Sequence, residues 1–360
     1  MPHQNRVSFF LGANSPDGFY SLFEELTDCE AVRDVYIIKG SAGSGKSSFM
    51  RKIAERLVRS GAGVEYELCS SDHRSLDGIL CPKAGAAIVD GTSPHVCEPK
   101  YAGAREHYVS FSDFLDCPPL SKKLGEIQSA SHEIHTNYES AYRFLQAARK
   151  VSDESFQLVI RHVDTARIRT RAAHLARRLL TGRGPGGGEK KRFLSAVSPE
   201  GVIFLESTVT ALCPRIIELH DTYGLSPFFL LPIRDAALAA GFEVISCWCT
   251  QNPATKLEHL LIPALGLAFI STNRCITLST QPERRIRLDA YLPPDDTRAL
   301  RARLRLQTKC EEALLAEAFS ALDRAKAGHD LLERLYNPHV DFPGVYRLAD
   351  TLGEKIGLVL

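Results

Sequence analysis

The chain matches itself. Sliding the 360-residue sequence by 180 positions lays Val35-Tyr-Ile-Ile over Arg215-Ile-Ile-Glu, Gly61 over Gly241, and Val64-Glu-Tyr-Glu-Leu-Cys69 over Val244-Ile-Ser-Cys-Trp-Cys249. At an offset of 181, Pro82 meets Pro263 and Ala86-Ala-Ile-Val-Asp90 meets Leu267-Ala-Phe-Ile-Ser271; at 177, His162-Val-Asp164 meets His339-Val-Asp341. The openings agree as well, Phe9-Phe-Leu-Gly-Ala-Asn-Ser-Pro16 with Arg192-Phe-Leu-Ser-Ala-Val-Ser-Pro199. A period this long is a domain rather than a solenoid repeat, so the two halves must share one fold. Between them, residues 181–192 (TGRGPGGGEKKR) hold five glycines and a proline ahead of a basic run, a composition that reads as a linker. The expected domains are therefore 1–181 and 193–360, joined by 182–192.

Within the first half, residues 35–39 form a short apolar run rich in β-branched and aromatic side chains. Glycines follow, then Phe49, Ile53 and Leu57 at i, i+4 and i+8: strand, turn, helix. Gly61 and Gly63 end the helix, and 64–69 and 86–89 are further short apolar strands of the kind buried in parallel sheets. From 121 to 160 the pattern turns helical, with Ile134, Tyr138 and Tyr142 four apart, and 296–336 repeats it. The expected fold class is α/β: two tandem units, each a mainly parallel sheet flanked by helices with a helical extension.

The turn after the first strand carries the chemistry. Gly40-Ser-Ala-Gly-Ser-Gly-Lys-Ser-Ser48 fits G-x-x-x-x-G-K-[ST], the Walker A loop, and its strand and helix lie where that loop needs them. Gly40, Ser41, Ala42, Gly43, Ser44, Gly45, Lys46, Ser47 and Ser48 are accordingly the expected nucleotide-binding residues. The glycines let backbone N–H groups close on a phosphate chain at a helix N-terminus, Lys46 adds a charge at the β/γ-phosphates, and the Ser47 hydroxyl is a ligand for Mg²⁺. Asp90, closing the strand at 86–90, is the expected carboxylate partner of that metal, and Asp72, after the 64–69 strand, the expected general base or water-positioning group. His95, Arg74 and Arg105 are weaker candidates, more in keeping with a satisfied histidine and solvated arginines. No Asn-Lys-x-Asp guanine-reading motif follows the loop, which favours ATP over GTP.

The second half has lost these groups. Under the same offsets Gly40 becomes His220, Gly45 becomes Leu225, Lys46 becomes Ser226, Ser47 becomes Pro227, Asp72 becomes Asn252 and Asp90 becomes Ser271, while the apolar strand positions persist. Selective loss of phosphate and metal groups implies a unit kept for folding without a nucleotide site.

Charge sets the remaining limits. With 44 Lys and Arg against 43 Asp and Glu, the formal charge is +1, so no global field holds the chain on nucleic acid or an anionic membrane. Two local excesses stand out: 161–192 has ten basic residues against two acidic, and 284–309 eight against three. Aromatic interleaving is sparse, and solvated helix faces explain the spacing equally well, so nucleic acid is not the expected partner. The longest apolar run, 260–270, is broken by Pro263 and Gly266, and the start MPHQNRVSFF lacks the features of a secretory signal; a cytoplasmic protein without membrane spans is expected. Ten scattered cysteines fit no zinc or redox spacing, Cys247 and Cys249 included, and read as reduced thiols.

The succession of Phe9-Phe, Ala13-Asn-Ser-Pro-Asp-Gly-Phe-Tyr20, the glycine loop, Cys69-Ser-Ser-Asp, Ser75-Leu-Asp-Gly78 and Val89-Asp-Gly-Thr-Ser-Pro-His95 resembles a bacterial family of tandem-duplicated P-loop, ATPase-like proteins over essentially the whole chain. Members are described only as ATPase or ATP-binding, and their second unit often keeps its own Walker A loop, from which this chain departs. Residues and resemblance together predict Mg²⁺-dependent ATP binding with hydrolysis by the first unit, a protein partner or self-association being open. Two alternatives stand beside it: a small-molecule kinase with Asp72 or Asp77 as base, and a non-catalytic, nucleotide-gated binding module.

Overall fold

The computed structural model describes residues 6–182, 184 and 186–360. In chain order the first half gives β1 (Val7–Phe10), a ribbon of β2 (Gly12–Ser15) and β3 (Gly18–Ser21), α1 (Glu24–Thr27), β4 (Asp34–Lys39), α2 (Lys46–Arg59), β5 (Glu65–Leu68), β6 (Leu76–Cys81), β7 (Ala86–Asp90), β8 (Glu106–Ser110), α3 (Cys117–Lys122), α4 (Leu124–Ile160) and α5 (Thr165–Leu179). The second half repeats the series: β9 (Glu189–Arg192), β10 (Ser195–Ser198), β11 (Gly201–Phe204), α6 (Glu206–Leu212), β12 (Arg215–His220), α7 (Ser226–Ala239), β13 (Val244–Cys249), β14 (Asn252–Ile262), β15 (Leu267–Thr272), β16 (Arg284–Arg287), α8 (Pro294–Tyr336) and α9 (Phe342–Gly357).

Both sheets have six strands in one order, β1-β5-β6-β7-β4-β8 and β9-β13-β14-β15-β12-β16. In each, five strands run parallel and one, β6 or β14, runs against its neighbours. The fold is thus a tandem duplication of an α/β unit. The sequence pattern does not single out the antiparallel strand: in Leu-Asp-Gly-Ile-Leu-Cys an aspartate and a glycine interrupt the apolar run.

The compact units do not coincide with the sequence halves. One comprises Arg6–Ala13, Phe19–Ala141 and Ser320–Leu360, and the other Asn14–Gly18 and Tyr142–Phe319. In the unit of the N-terminal sheet, the last helix, α9, covers α2: Val345, Ala349, Leu352 and Ile356 share a core with Phe49, Ile53 and Leu57. Lys52 and Arg56 clip its outer side through Asp350 (2.7 Å) and Glu354 (3.1 Å). In the unit of the C-terminal sheet, α5 covers α7, with Ile168, Ala172 and Leu175 against Phe229, Ile233 and Ala237. At the 177 offset these two docking stripes are the same stripe, and both helices start on the matching aspartate, Asp164 accepting from Arg167 N–H and Asp341 from Gly344 N–H. Each half has exchanged its terminal helix for the other's, so the compact units do not follow boundaries at 181 and 193.

The expected linker is corrected at its basic end, where residues 189–192 form edge strand β9, parallel to β13. Arg183 and Pro185 of that segment lie outside the described residues. All ten cysteines are free thiols, and no described helix is long and apolar enough to cross a membrane.

Candidate functional site

In the unit of the N-terminal sheet, β4 ends at Lys39 and α2 begins at Lys46, with the glycine-rich turn between them. The turn reverses through two left-handed glycines, Gly43 (φ 67°) and Gly45 (φ 89°), a region closed to most side chains. At Gly43 space adds a second demand, since a Cβ there would lie 2.9 Å from the Glu333 backbone of α8. Ser44 is buried and braces the turn by donating its hydroxyl to the Ser41 carbonyl (2.8 Å), while Ser48 is exposed on the first turn of α2. Lys46 folds back over the loop, its Nζ donating to the carbonyls of Gly40 (3.0 Å) and Ser41 (2.9 Å) and lying 3.5 Å from Asp90 Oδ2. The Ser47 hydroxyl accepts from the Leu76 N–H (3.0 Å), which ties α2 to β6. Within the loop the Ser44 N–H donates to the Ser41 carbonyl (3.4 Å), and among the described residues no side chain accepts from a backbone N–H between Ala42 and Ser47.

Asp90 stands at the carboxyl end of β7, the strand beside β4 and parallel to it. Its Oδ1 accepts from the Thr92 N–H (2.9 Å) and hydroxyl (2.6 Å), leaving Oδ2 toward Lys46. The three expected groups, loop, Lys46 and Asp90, are therefore together. Behind them, one step past the Gly78↔Val89 pair, β6 sets Asp77 across from Asp90. Burial, with the nearby Asp90 charge, pushes the Asp77 carboxyl above its ordinary value, against the pull of His95. His95 Nε2 lies 3.2 Å from Asp77 Oδ2, and its ring sits between Phe19 and Phe23 (centroids 4.8 and 4.9 Å away). That is a core histidine packed on a buried acid rather than a group exposed to substrate.

Asp72 has a different occupation from the one expected. Its carboxylate accepts from the Arg74 N–H (3.2 Å) and the Ser75 hydroxyl (3.1 Å), shaping the turn between β5 and β6. Burial pushes its pKa up, but these hydrogen bonds outweigh it and hold the group below its usual value, which makes it a poor proton acceptor. Arg74 is largely exposed beside it, and Arg105 is turned to the Cys29 carbonyl (2.9 Å). Sequence reasoning missed the contribution of α8. With its amide oriented to donate, Asn337, just beyond that helix, reaches the Gly43 carbonyl (2.6 Å). His329 lies within electrostatic reach of Lys46; burial, then the Lys46 and Lys326 charges, keep its imidazole below the ordinary value against Asp330. Burial likewise raises the Glu333 carboxyl. Nothing in 323–337 resembles a nucleotide motif; only the fold brings a segment almost 300 residues distant to the loop.

In the unit of the C-terminal sheet, the matching loop has a different character. Strand register pairs Ile38 with Asp90 and Leu219 with Ser271, an offset of 181 that sets Asp221, not His220, at the position of Gly40. The helices keep an offset of 180, so this loop is one residue shorter than its counterpart. Its two helix-opening donors are already taken: Leu225 N–H and Ser226 N–H each donate to the buried Asp221 carboxylate at 2.7 Å. Ser271 gives its hydroxyl to the Glu258 carbonyl (2.6 Å).

No protein-family model, curated protein or solved structure matches the chain.

Proposed function

We propose that the unit of the N-terminal sheet binds Mg²⁺-ATP and hydrolyses it, and that the unit of the C-terminal sheet is kept without a nucleotide site. The observation that carries this reading is Lys46, clasped by two loop carbonyls at the mouth of a left-handed glycine turn, 3.5 Å from a carboxylate on the neighbouring parallel strand. An ammonium so held can exchange neutral carbonyl partners for phosphate oxygens, gaining charge-assisted hydrogen bonds. Ser47 and Asp90 are the residues to hold Mg²⁺, which supplies charge neutralisation at the phosphates when bound. Among the described residues no three His, Cys, Asp or Glu side chains form a ready-made metal cage, and magnesium suits such a site because it takes one or two protein oxygens and completes its shell with phosphate and water. Adenine is preferred to guanine on the absence of a guanine-reading motif.

Hydrolysis is tested by phosphate release from ATP with no acceptor added. Release supports the ATPase; transfer only to an added acceptor makes the protein a kinase, and tight binding without turnover makes it a nucleotide-gated module.

Two further outcomes are expected. Titration calorimetry with a non-hydrolysable ATP analogue and Mg²⁺ should give one site per chain, because Asp221 closes the second loop; a clean value of two would contradict the reading. Asp90→Asn should lower turnover by roughly 10–100-fold, the usual cost of disturbing a metal's supporting carboxylate, with little change in nucleotide affinity. Wild-type turnover of Asp90→Asn at limiting Mg²⁺ would remove Asp90 from the metal site.

A further inference from the structure

We propose that the unit of the C-terminal sheet carries a binding face for the phosphate backbone of nucleic acid, formed by α5, β16 and the first half of α8. This inference is independent of the nucleotide reading. The chain's charge of +1 conceals an uneven division: the compact unit holding residues 142–319 has 25 Lys and Arg against 19 Asp and Glu (+6), and the other unit 19 against 24 (−5). The positive excess is concentrated. Helix α5 has five arginines and no acidic residue, and Arg167, Arg171, His174 and Arg178 recur at i, i+4, i+7 and i+11, one stripe along the helix. Helix α8 opens with the same kind of stripe, Arg298, Arg301, Arg305 and Lys309. Edge strand β16, Arg-Arg-Ile-Arg, adds Arg284, Arg285 and Arg287, all exposed.

The fold joins these separate segments. Tyr291, in the turn between β16 and α8, lies under the Arg167 guanidinium (5.8 Å to the ring centroid) and accepts from Arg171 Nη1 (3.2 Å). His162, just before α5, lies 3.0 Å from Asp296 on the first turn of α8. The two basic segments thus meet at one edge of the sheet. Part of the charge is neutralised, Arg285 by Glu218 and Arg303 by Glu154. Among the described residues Arg167, Arg178, Arg284, Arg287, Arg301 and Arg305 stand in no ion pair and are exposed. Guanidinium groups suit phosphodiesters because they donate two parallel hydrogen bonds to one phosphate. A membrane surface fits less well: Leu306 is the one large apolar side chain strongly exposed on these elements, whereas interfacial helices present a whole apolar face.

The test is fluorescence anisotropy of the full chain with a labelled single-stranded RNA and a labelled DNA duplex, each of about 20 residues per strand, over a salt series. Binding should be salt-dependent, with a log–log slope that counts the phosphates engaged. Replacing Arg167, Arg178, Arg301 and Arg305 by Gln together should weaken binding at least ~10-fold and reduce the slope by about two to three, while Arg59→Gln, Lys83→Gln and Lys122→Gln together, in the other unit, should change neither. Arg301→Gln with Arg305→Gln alone, both surface positions, should give about half the loss of slope, which guards against misfolding of the larger variant. Absence of binding to either oligonucleotide at low salt, an equal loss in the control variant, or uptake by anionic vesicles that the oligonucleotides cannot displace would each overturn the proposal.

Discussion

Lys46→Ala should abolish measurable ATP hydrolysis and weaken ATP binding more than AMP binding. The lysine is held at the loop by carbonyls, which are neutral dipoles, and by the edge of Asp90, so most of its electrostatic value is free for a phosphate chain. Losing one charge-assisted hydrogen bond costs roughly 1.5–3 kcal/mol, or about one to two powers of ten in affinity. The loss grows in the transition state, where charge redistributes over the transferring group. AMP lacks the β- and γ-phosphates and should hardly sense the change. Ser226→Ala, at the matching position of the second loop, should leave turnover and affinity unaltered. Turnover measured by phosphate release and binding by calorimetry separate the possibilities: equal losses for ATP and AMP would indicate a collapsed loop, with Asp90 deprived of its nearest cation, and undiminished hydrolysis would locate the chemistry elsewhere.

The repeat was legible because its signals are local. A strand needs a few apolar residues, a helix end needs a glycine, and an N-cap needs an aspartate; these survive divergence, so Asp164 and Asp341 match in sequence and both cap a helix. What was not legible is which partner each helix takes. Ile168, Ala172 and Leu175 offer α7 the apolar stripe that Val345, Ala349 and Leu352 offer α2, and α2 and α7 present equivalent faces in return. Periodicity specifies the stripe and not its recipient. The site divides the same way. Loop, lysine and Asp90 were readable from a contiguous motif and a strand end, whereas Asn337 and His329 depend on the exchange that carries the end of α8 into the unit of the N-terminal sheet. Asp72 shows that a carboxylate at a strand end serves a turn as readily as a reaction: here the Arg74 N–H and the Ser75 hydroxyl donate to it.

The second loop yields the other large effect, on stability. Asp221 is buried, and its two oxygens each take one N–H at the start of α7, the donors that a phosphate cradle reserves for its anion. An internal carboxylate thus fills the place an external anion would take, so this loop, which keeps a left-handed glycine at Gly224 (φ 80°) but has no counterpart of Gly40, Gly45, Lys46 or the Ser47 hydroxyl, has its helix-opening donors satisfied from within. Asp221→Ala removes both acceptors at once and should cost roughly 1.5–3 kcal/mol, since the stranded N–H groups lose a charged partner and water reaches them poorly. For a unit of this size that lowers the melting temperature by about 2–4 °C per kcal/mol, read by calorimetry or circular dichroism. Asp221→Asn, which keeps one acceptor oxygen and loses the charge, should fall between the variant and the wild type. Inorganic phosphate adds an independent readout: if the carboxylate occupies an anion position, millimolar phosphate should raise the melting temperature of Asp221→Ala more than that of the intact chain. An unchanged melting temperature in Asp221→Ala, or equal phosphate protection of both proteins, would mean that the carboxylate does not stand in for an anion at this helix start.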